Sequence, residues 1–239
     1  MLNDADPAGG RPESRAAAYT TLPVGPGFRS ELEIRRSRFI TVLRRTEDEH
    51  AARALVNDLR KEFHDARHHC SAFILGADRG VQRSSDDGEP AGTAGSPMLE
   101  ALLKRETVPG ESDLSDITAV VVRYFGGVLL GAGGLVRAYS ESVSAALDRA
   151  PLAQRRRLRL CSVRVGYTGA GRLENDLRNA GYLLSGTRYE DSSALLTVAL
   201  QDQPDEISAA ADRIAALTGG STVLERGETE WVDVPPHPE

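Results

Sequence analysis

Cysteine is scarce in this chain of 239 residues: there are two, Cys70 and Cys161, far apart. That spacing excludes a disulfide framework and a C-x-x-C metal knuckle. Long apolar runs are missing as well; none approaches the ~18 residues that a membrane span requires, so no membrane contact is expected. The opening residues lack a basic region followed by an apolar core, so no secretory signal is expected and a cytoplasmic location follows by elimination. Positive charge is not in excess either. The net charge is −6, so no overall field draws the chain onto nucleic acid or anionic lipid. Several catalytic motifs are absent: there is no G-x-S-x-G elbow and no H-E-x-x-H helix.

What the chain does have is glycine, concentrated in VVVRYFGGVLLGAGGLVRAYSESVSAAL, Val120 to Leu147. The continuous apolar run Ile117–Val122 reads as a buried strand. Gly126 and Gly127 break it, and Gly131, Gly133 and Gly134 follow. Then Leu135, Val136, Tyr139, Val143, Ala146 and Leu147 recur at three- and four-residue steps, as one face of a helix does. The order is strand, glycine loop, helix. Free backbone N–H groups before a helix favour an anion. The competing reading is that the glycines only permit tight strand–helix packing. No Gly-Lys-Ser/Thr follows, so this is no Walker loop, and the spacing breaks the G-x-G-x-x-G dinucleotide fingerprint.

Residues 1–27, rich in Pro, Gly and Ala, are expected to be a disordered tail. Ser30–Arg36 and Phe39–Leu43 read as strands around a turn at Arg36-Ser37. Thr46 to Glu49 has the form of a capping box and opens a helix to about Phe63 with Ala51, Ala52, Leu55, Leu59 and Phe63 on its buried stripe. Cys70–Leu75 and Val81–Ser85 form a hairpin. Ser85–Gly95 is a loop, and Ser96 and Pro97 suit the start of a short helix over Met98–Arg105. A polar linker, Glu106–Asp116, leads into the central strand.

Beyond Pro151 the pattern changes to strand (Leu158–Val165), helix (Gly171–Ala180), strands (Tyr182–Tyr189 and Ala194–Leu200), helix (Pro204–Leu217) and strand (Thr222–Val232). That βαββαβ order is a ferredoxin-like split βαβ unit. The expected class is α+β with two domains, 28–150 and 155–233, and a tail at 234–239. Arg155, Arg156, Arg157 and Arg159 form the one basic cluster. Such a run meets phosphates or sits on a solvated strand edge, the second being commoner.

Three carboxylates, Asp86, Asp87 and Glu89, fall in the first glycine-bearing loop. Their type suits Mg²⁺, but the spacing is not that of an EF-hand. Arg123 ends an apolar strand, where a charge must be paired or exposed. A pair between Arg123 and Asp86 or Asp87 is expected, organising the two loops. His64, His68, His69 and Cys70 cluster without a fourth zinc ligand, so no metal and no cofactor is assigned. Ser96, near Thr93, has no base, and no catalytic residue is assigned.

The strings SRFI, DDGEPAGTAGSPMLEALL and VVVRYFGGVLLGAGGLVRAYSESVSAAL resemble the Impact/YigZ family; the run Arg123 to Gly131 is similar to that family's signature. The resemblance implies an N-terminal α/β sandwich of the ribosomal small-subunit protein five domain-two-like type. Residues 155–233 are similar to the smaller C-terminal domain of the bacterial members. It also implies a link to translation: eukaryotic members bind an activator of an initiation-factor kinase, and bacterial members are thought to bind nucleic acid or the ribosome.

The expected function is therefore a non-enzymatic regulator that binds RNA, the ribosome or a translation-associated protein. Its surface would comprise Asp86, Asp87, Glu89, Gly92, Thr93, Gly95, Ser96, Arg123, Tyr124, Gly126, Gly127, Gly131, Gly133, Gly134 and Arg137. The alternative is an enzyme, a phosphotransferase or hydrolase acting on a small anionic substrate in the same cleft. A protein-interaction adaptor is the third reading. In the second domain, Ser193–Leu200 carries no aromatic platform on which bases could stack.

Overall fold

Part of the segment expected to be a disordered tail is a strand. In the computed structural model, which describes residues 15–234, Ala18–Thr21 forms β1. Tyr19 and Leu22 are buried, two large side chains hidden in a Pro/Gly/Ala composition. The Tyr19 hydroxyl donates to the Asp116 carboxylate. Ser115 N–H donates to Thr20 O at 2.9 Å, and Thr21 Oγ1 donates to Asp116 O at 3.1 Å. The end of the expected linker is thus core, with Leu114 fully buried. The remainder of the tail, residues 1–14, and residues 235–239 lie outside the described residues.

The chain divides into two units, Met1–Ala153 and Gln154–Glu239. In the first, β2 (Phe28–Ile34), β3 (Ser37–Arg45), α1 (Glu49–Glu62), β4 (His68–Leu75), β5 (Val81–Ser85), α2 (Gly95–Leu103), β6 (Ile117–Tyr124) and α3 (Gly131–Leu147) follow β1. The sheet order is β2-β3-β6-β4-β5, antiparallel throughout. The central β6 is buried on both faces, which is why it reads as an unbroken apolar run. Val120 and Val122 face α1 through Leu55 and Leu59. Ala119 and Val121 share the opposite cluster with Met98 and Leu102 of α2 and Leu135, Tyr139 and Val143 of α3. By the two-residue strand period, Arg123 belongs to that second face.

Two helix starts differ from expectation. Asp48, not Thr46, caps α1, its Oδ1 accepting the Ala51 N–H at 2.7 Å. Thr46 is instead buried, its hydroxyl 2.6 Å from that of Thr118. Gly131, Gly133 and Gly134 are the first turn of α3 rather than part of the preceding loop. Val136, assigned to the buried face of that helix, is 38% exposed.

In the second unit β7 (Ala153–Val165), α4 (Tyr167–Asn179), β8 (Leu183–Tyr189), β9 (Ala194–Leu200), α5 (Pro204–Thr218) and β10 (Leu224–Val234) follow in order. The strands pair β10-β7-β9-β8, all antiparallel. Leu173 and Leu177 of α4 and Ala210 and Ile214 of α5 pack on Cys161, Val163, Leu196 and Val198. Helix α4 begins four residues before its expected start, with Gly169 and Gly171 in open space in its first turns. The basic cluster lies on β7, where Arg155, Arg156, Arg157 and Arg159 pair in register with β10, and β9 joins on the other side only from Arg159. Arg159 pairs with Asp202 at 2.6 Å and Arg155 with Asp233 at 3.1 Å.

Candidate functional site

Strand register brings the sequence-distant loops to one end of the first sheet. Ile34 pairs with Ser37, Arg38 with Tyr124, His68 with Arg123, and Ser71 with Ser85. The β2–β3 turn, the start of β4, the loop after β5 and the loop after β6 therefore share that end.

Arg123 is their junction. Its side chain is 7% exposed. Nη1 donates to Glu89 Oε1 at 2.7 Å, and Nη2 to Ser37 Oγ at 3.4 Å. The group lies over the rings of Phe39, at 5.6 Å, and Phe125, at 5.7 Å. Nε has no hydrogen-bond partner. Glu89 Oε1 also accepts the Tyr139 hydroxyl at 2.8 Å, and Cys70 Sγ donates to the same hydroxyl at 3.3 Å. Burial, above all, raises the Tyr139 pKa and pushes the Cys70 thiol up to about 12. Both groups are protonated at neutral pH, so neither is a nucleophile there.

The expected pairing of Arg123 with Asp86 or Asp87 is thus corrected to Glu89. Asp86 caps α2 from a distance: its carboxylate accepts the N–H groups of Gly92 at 2.7 Å, Ala94 at 3.0 Å and Gly95 at 2.7 Å. Burial opposes its ionisation, but those three amides outweigh it and hold the carboxyl below its ordinary range. Ser96 is exposed and does not cap. Thr93 is buried, its hydroxyl on Pro90 O at 2.6 Å. Asp87 accepts the His69 N–H at 2.6 Å and pairs with Arg60 at 2.5 Å. A helix start whose amides hold Asp86 is closed to a phosphate, so Gly92 and Gly95 serve the scaffold. A Cβ on Gly95 would sit 2.7 Å from Ser85 N.

The histidines do not converge on a metal. His68 Nδ1 is 3.0 Å from Asp87 O, His69 Nε2 is 3.2 Å from Phe63 O, and His64 is exposed. Among the described residues no cluster of three or more His, Cys, Asp or Glu could hold a metal ion.

The second loop is the open part of this end. Phe125 is 51% exposed and Leu129 83%. Gly126 explains how it meets the hairpin: a Cβ there would lie 1.9 Å from Arg36 O. Gly126 N–H donates to Ser37 Oγ at 3.3 Å. Arg35 and Arg36 both have positive φ, 47° and 65°. Two non-glycine residues in the left-handed region cost about 1–2 kcal/mol each, where Asn-Gly is the common choice. Arg35, Arg36, Arg67 and Arg137 are exposed and have no carboxylate partner among the described residues. Tyr124 donates its hydroxyl to Asp65 at 2.7 Å. Helix α3 starts on Gly131 without a side-chain cap and without an acidic residue in its first turn.

Residues 35–147 match the Impact N-terminal domain family model, a span that runs from the hairpin turn to the last residue of α3. A Bacillus subtilis protein, IMPACT family member YvyE, is 38% identical over 203 residues, 85% of this chain and 89% of that one. The chain belongs to the IMPACT family. IMPACT family member YigZ of Escherichia coli is 54% identical over 117 residues, 48% of this chain and 54% of its own length. A crystal structure described as that of a hypothetical protein is 36% identical, covers 89% of this chain and 98% of its own, and has a TM-score of 0.56. An IMPACT-family chain with a mixed α/β fold is what these comparisons support. No helix among the described residues is long and apolar enough to cross a membrane.

Sequence reasoning missed Tyr139, Ser37, Arg35, Arg36 and Phe125. Tyr139 carried a signal, being the one hydroxyl-bearing aromatic on the apolar face of α3. A buried tyrosine hydroxyl needs a partner, and an acid from another loop is a strong one.

Proposed function

We propose that this protein is a non-enzymatic regulator linked to translation, acting in the cytoplasm by binding RNA, alone or within the ribosome. The reading takes residues 28–150 as a domain of the ribosomal protein five domain-two-like type that carries the binding surface. It takes residues 155–233 as a ferredoxin-like companion, which the strand order β10-β7-β9-β8 supports. The binding surface is the second loop, Tyr124, Phe125, Gly126, Gly127, Gly131, Gly133 and Gly134, with Arg137 and the hairpin arginines.

One observation carries the reading. At this end of the sheet Asp65, Asp86, Asp87 and Glu89 all have protein partners, whereas Arg35, Arg36, Arg67 and Arg137 do not. A local excess of uncompensated guanidinium on a chain of net charge −6 favours phosphate at this place. The enzymatic alternative needs a carboxylate free to hold Mg²⁺ or to act as a base, and the loop carboxylates are engaged. A translation-associated protein partner draws on the family resemblance and on no separate feature of the surface.

Filter binding of RNA over a salt series tests the proposal. Four arginine–phosphate contacts give a slope of about −3 in log K against log salt for a single strand. Replacing Arg35 and Arg36 by Ala lowers that slope by about one to two. Absence of binding at low salt, or a flat response, would refute it.

A further inference from the structure

Arginines alone would hold a duplex and a single strand alike, because both present phosphate. The same surface also exposes apolar side chains that phosphate cannot cover. Phe125 is 51% exposed although its ring packs against the buried Arg123 guanidinium at 5.7 Å. Leu129 is 83% exposed and Val128 36%. Gly126, the next residue, lies against the Arg36 backbone, so the chain that carries the ring meets the strained turn that carries two exposed cations. A guanidinium behind a ring also fixes the ring's orientation, so that little side-chain freedom is lost when a flat ligand lands on it.

From the exposed Phe125 ring beside the Arg35-Arg36 turn, we infer that the ligand is single-stranded RNA, one unpaired base stacking on Phe125 while flanking phosphates meet Arg35 and Arg36. This rests on the RNA reading above and names its substrate class. The chemistry selects the strand state. A duplex keeps its base faces inside its own stack and leaves Phe125 and Leu129 in water, whereas a single strand presents faces that an aromatic ring covers without regard to sequence. The occupant must be both flat and apolar on one side and anionic on the other, which a nucleotide is.

Fluorescence anisotropy on a labelled oligo(U) strand and on an RNA duplex of the same length tests this with the full chain. The strand is expected to bind at least about tenfold tighter than the duplex. Phe125→Ala removes that preference, weakening oligo(U) about tenfold and leaving the duplex unchanged, and Phe125→Trp keeps it. Thermal melts of both variants establish that each is folded. Equal affinity for strand and duplex, or an Phe125→Ala variant that binds oligo(U) like the parent, overturns the inference and leaves the RNA reading standing. Failure of both RNAs to bind at low salt overturns both. A nuclease-resistant protein complex that needs Phe125, with no RNA bound, assigns the ring to a protein and also overturns the inference.

Discussion

Glu89→Ala would strand a cation in the core of the first unit. The two side chains of the pair are 3% and 7% exposed and 2.7 Å apart, so water cannot replace the lost carboxylate without opening the site. Breaking a buried pair by removing one partner costs about 3–5 kcal/mol. The Tyr139 hydroxyl loses its acceptor in the same step, a contribution that is coupled to the first and not additive with it. For a unit of this size each kcal/mol lowers Tm by roughly 2–4 °C, so the variant should melt roughly 6–20 °C below the parent. Glu89→Gln keeps an oxygen in place but removes the charge and should cost about 1–3 kcal/mol. The triple variant Glu89→Leu, Arg123→Met, Tyr139→Phe replaces the network by apolar groups and should recover most of the loss. Urea titration followed by circular dichroism measures each difference. Trp231, the sole tryptophan, lies in the second unit, so its emission reports that unit as a separate probe. A Glu89→Ala variant within about 1 kcal/mol of the parent would refute the reasoning, as would a triple variant no more stable than the single one.

Gly126→Ala places a Cβ 1.9 Å from Arg36 O; the loop and hairpin must part, at about 1–3 kcal/mol, read as a lower urea midpoint. Asp86→Ala removes the acceptor of three α2 amides and should cost about 0.5–2 kcal/mol. Because the folded Asp86 pKa is lowered, its contribution is full above the unfolded value near ~3.9 and is lost as pH falls through the folded one. Paired denaturation curves across that range should lose this portion in the variant. Burial lowers the His69 pKa, against the pull of Asp87. Its neutral form is favoured in the fold, so stability should be full above about pH 6.5 and decline below it, before the carboxylates titrate; His69→Gln should flatten that early decline.

Much of the fold was legible because each strand of the first sheet has a definite burial pattern. β6, buried on both faces, reads as an uninterrupted apolar run. β5 and β9 match their expected bounds because turn residues flank them. What failed were the places where a long-range partner overrides a local rule. Thr46 fits a capping box, but Thr118 takes its hydroxyl and Asp48 does the capping. Ser96 fits an N-cap, but Asp86 reaches the same amides from the preceding loop. Tyr19 and Leu22 sit in a tail-like composition, yet residues 113–116 give them a core. At the site, the convergence of two glycine loops was legible from their common need for an anchor. Which carboxylate met Arg123 was not, since three acids within four residues differ only in the direction the folded loop gives them. The Arg35-Arg36 turn carries no glycine or asparagine, so nothing local marks it as left-handed.

Cross-linking of 4-thiouridine-labelled RNA, with the modified residues located by mass spectrometry, tests the central claim most directly. The account predicts adducts between Tyr124 and Arg137, with Phe125 foremost, and in the Arg35-Arg36 turn. Adducts confined to the second unit, or to the α2 start that Asp86 closes, would contradict it.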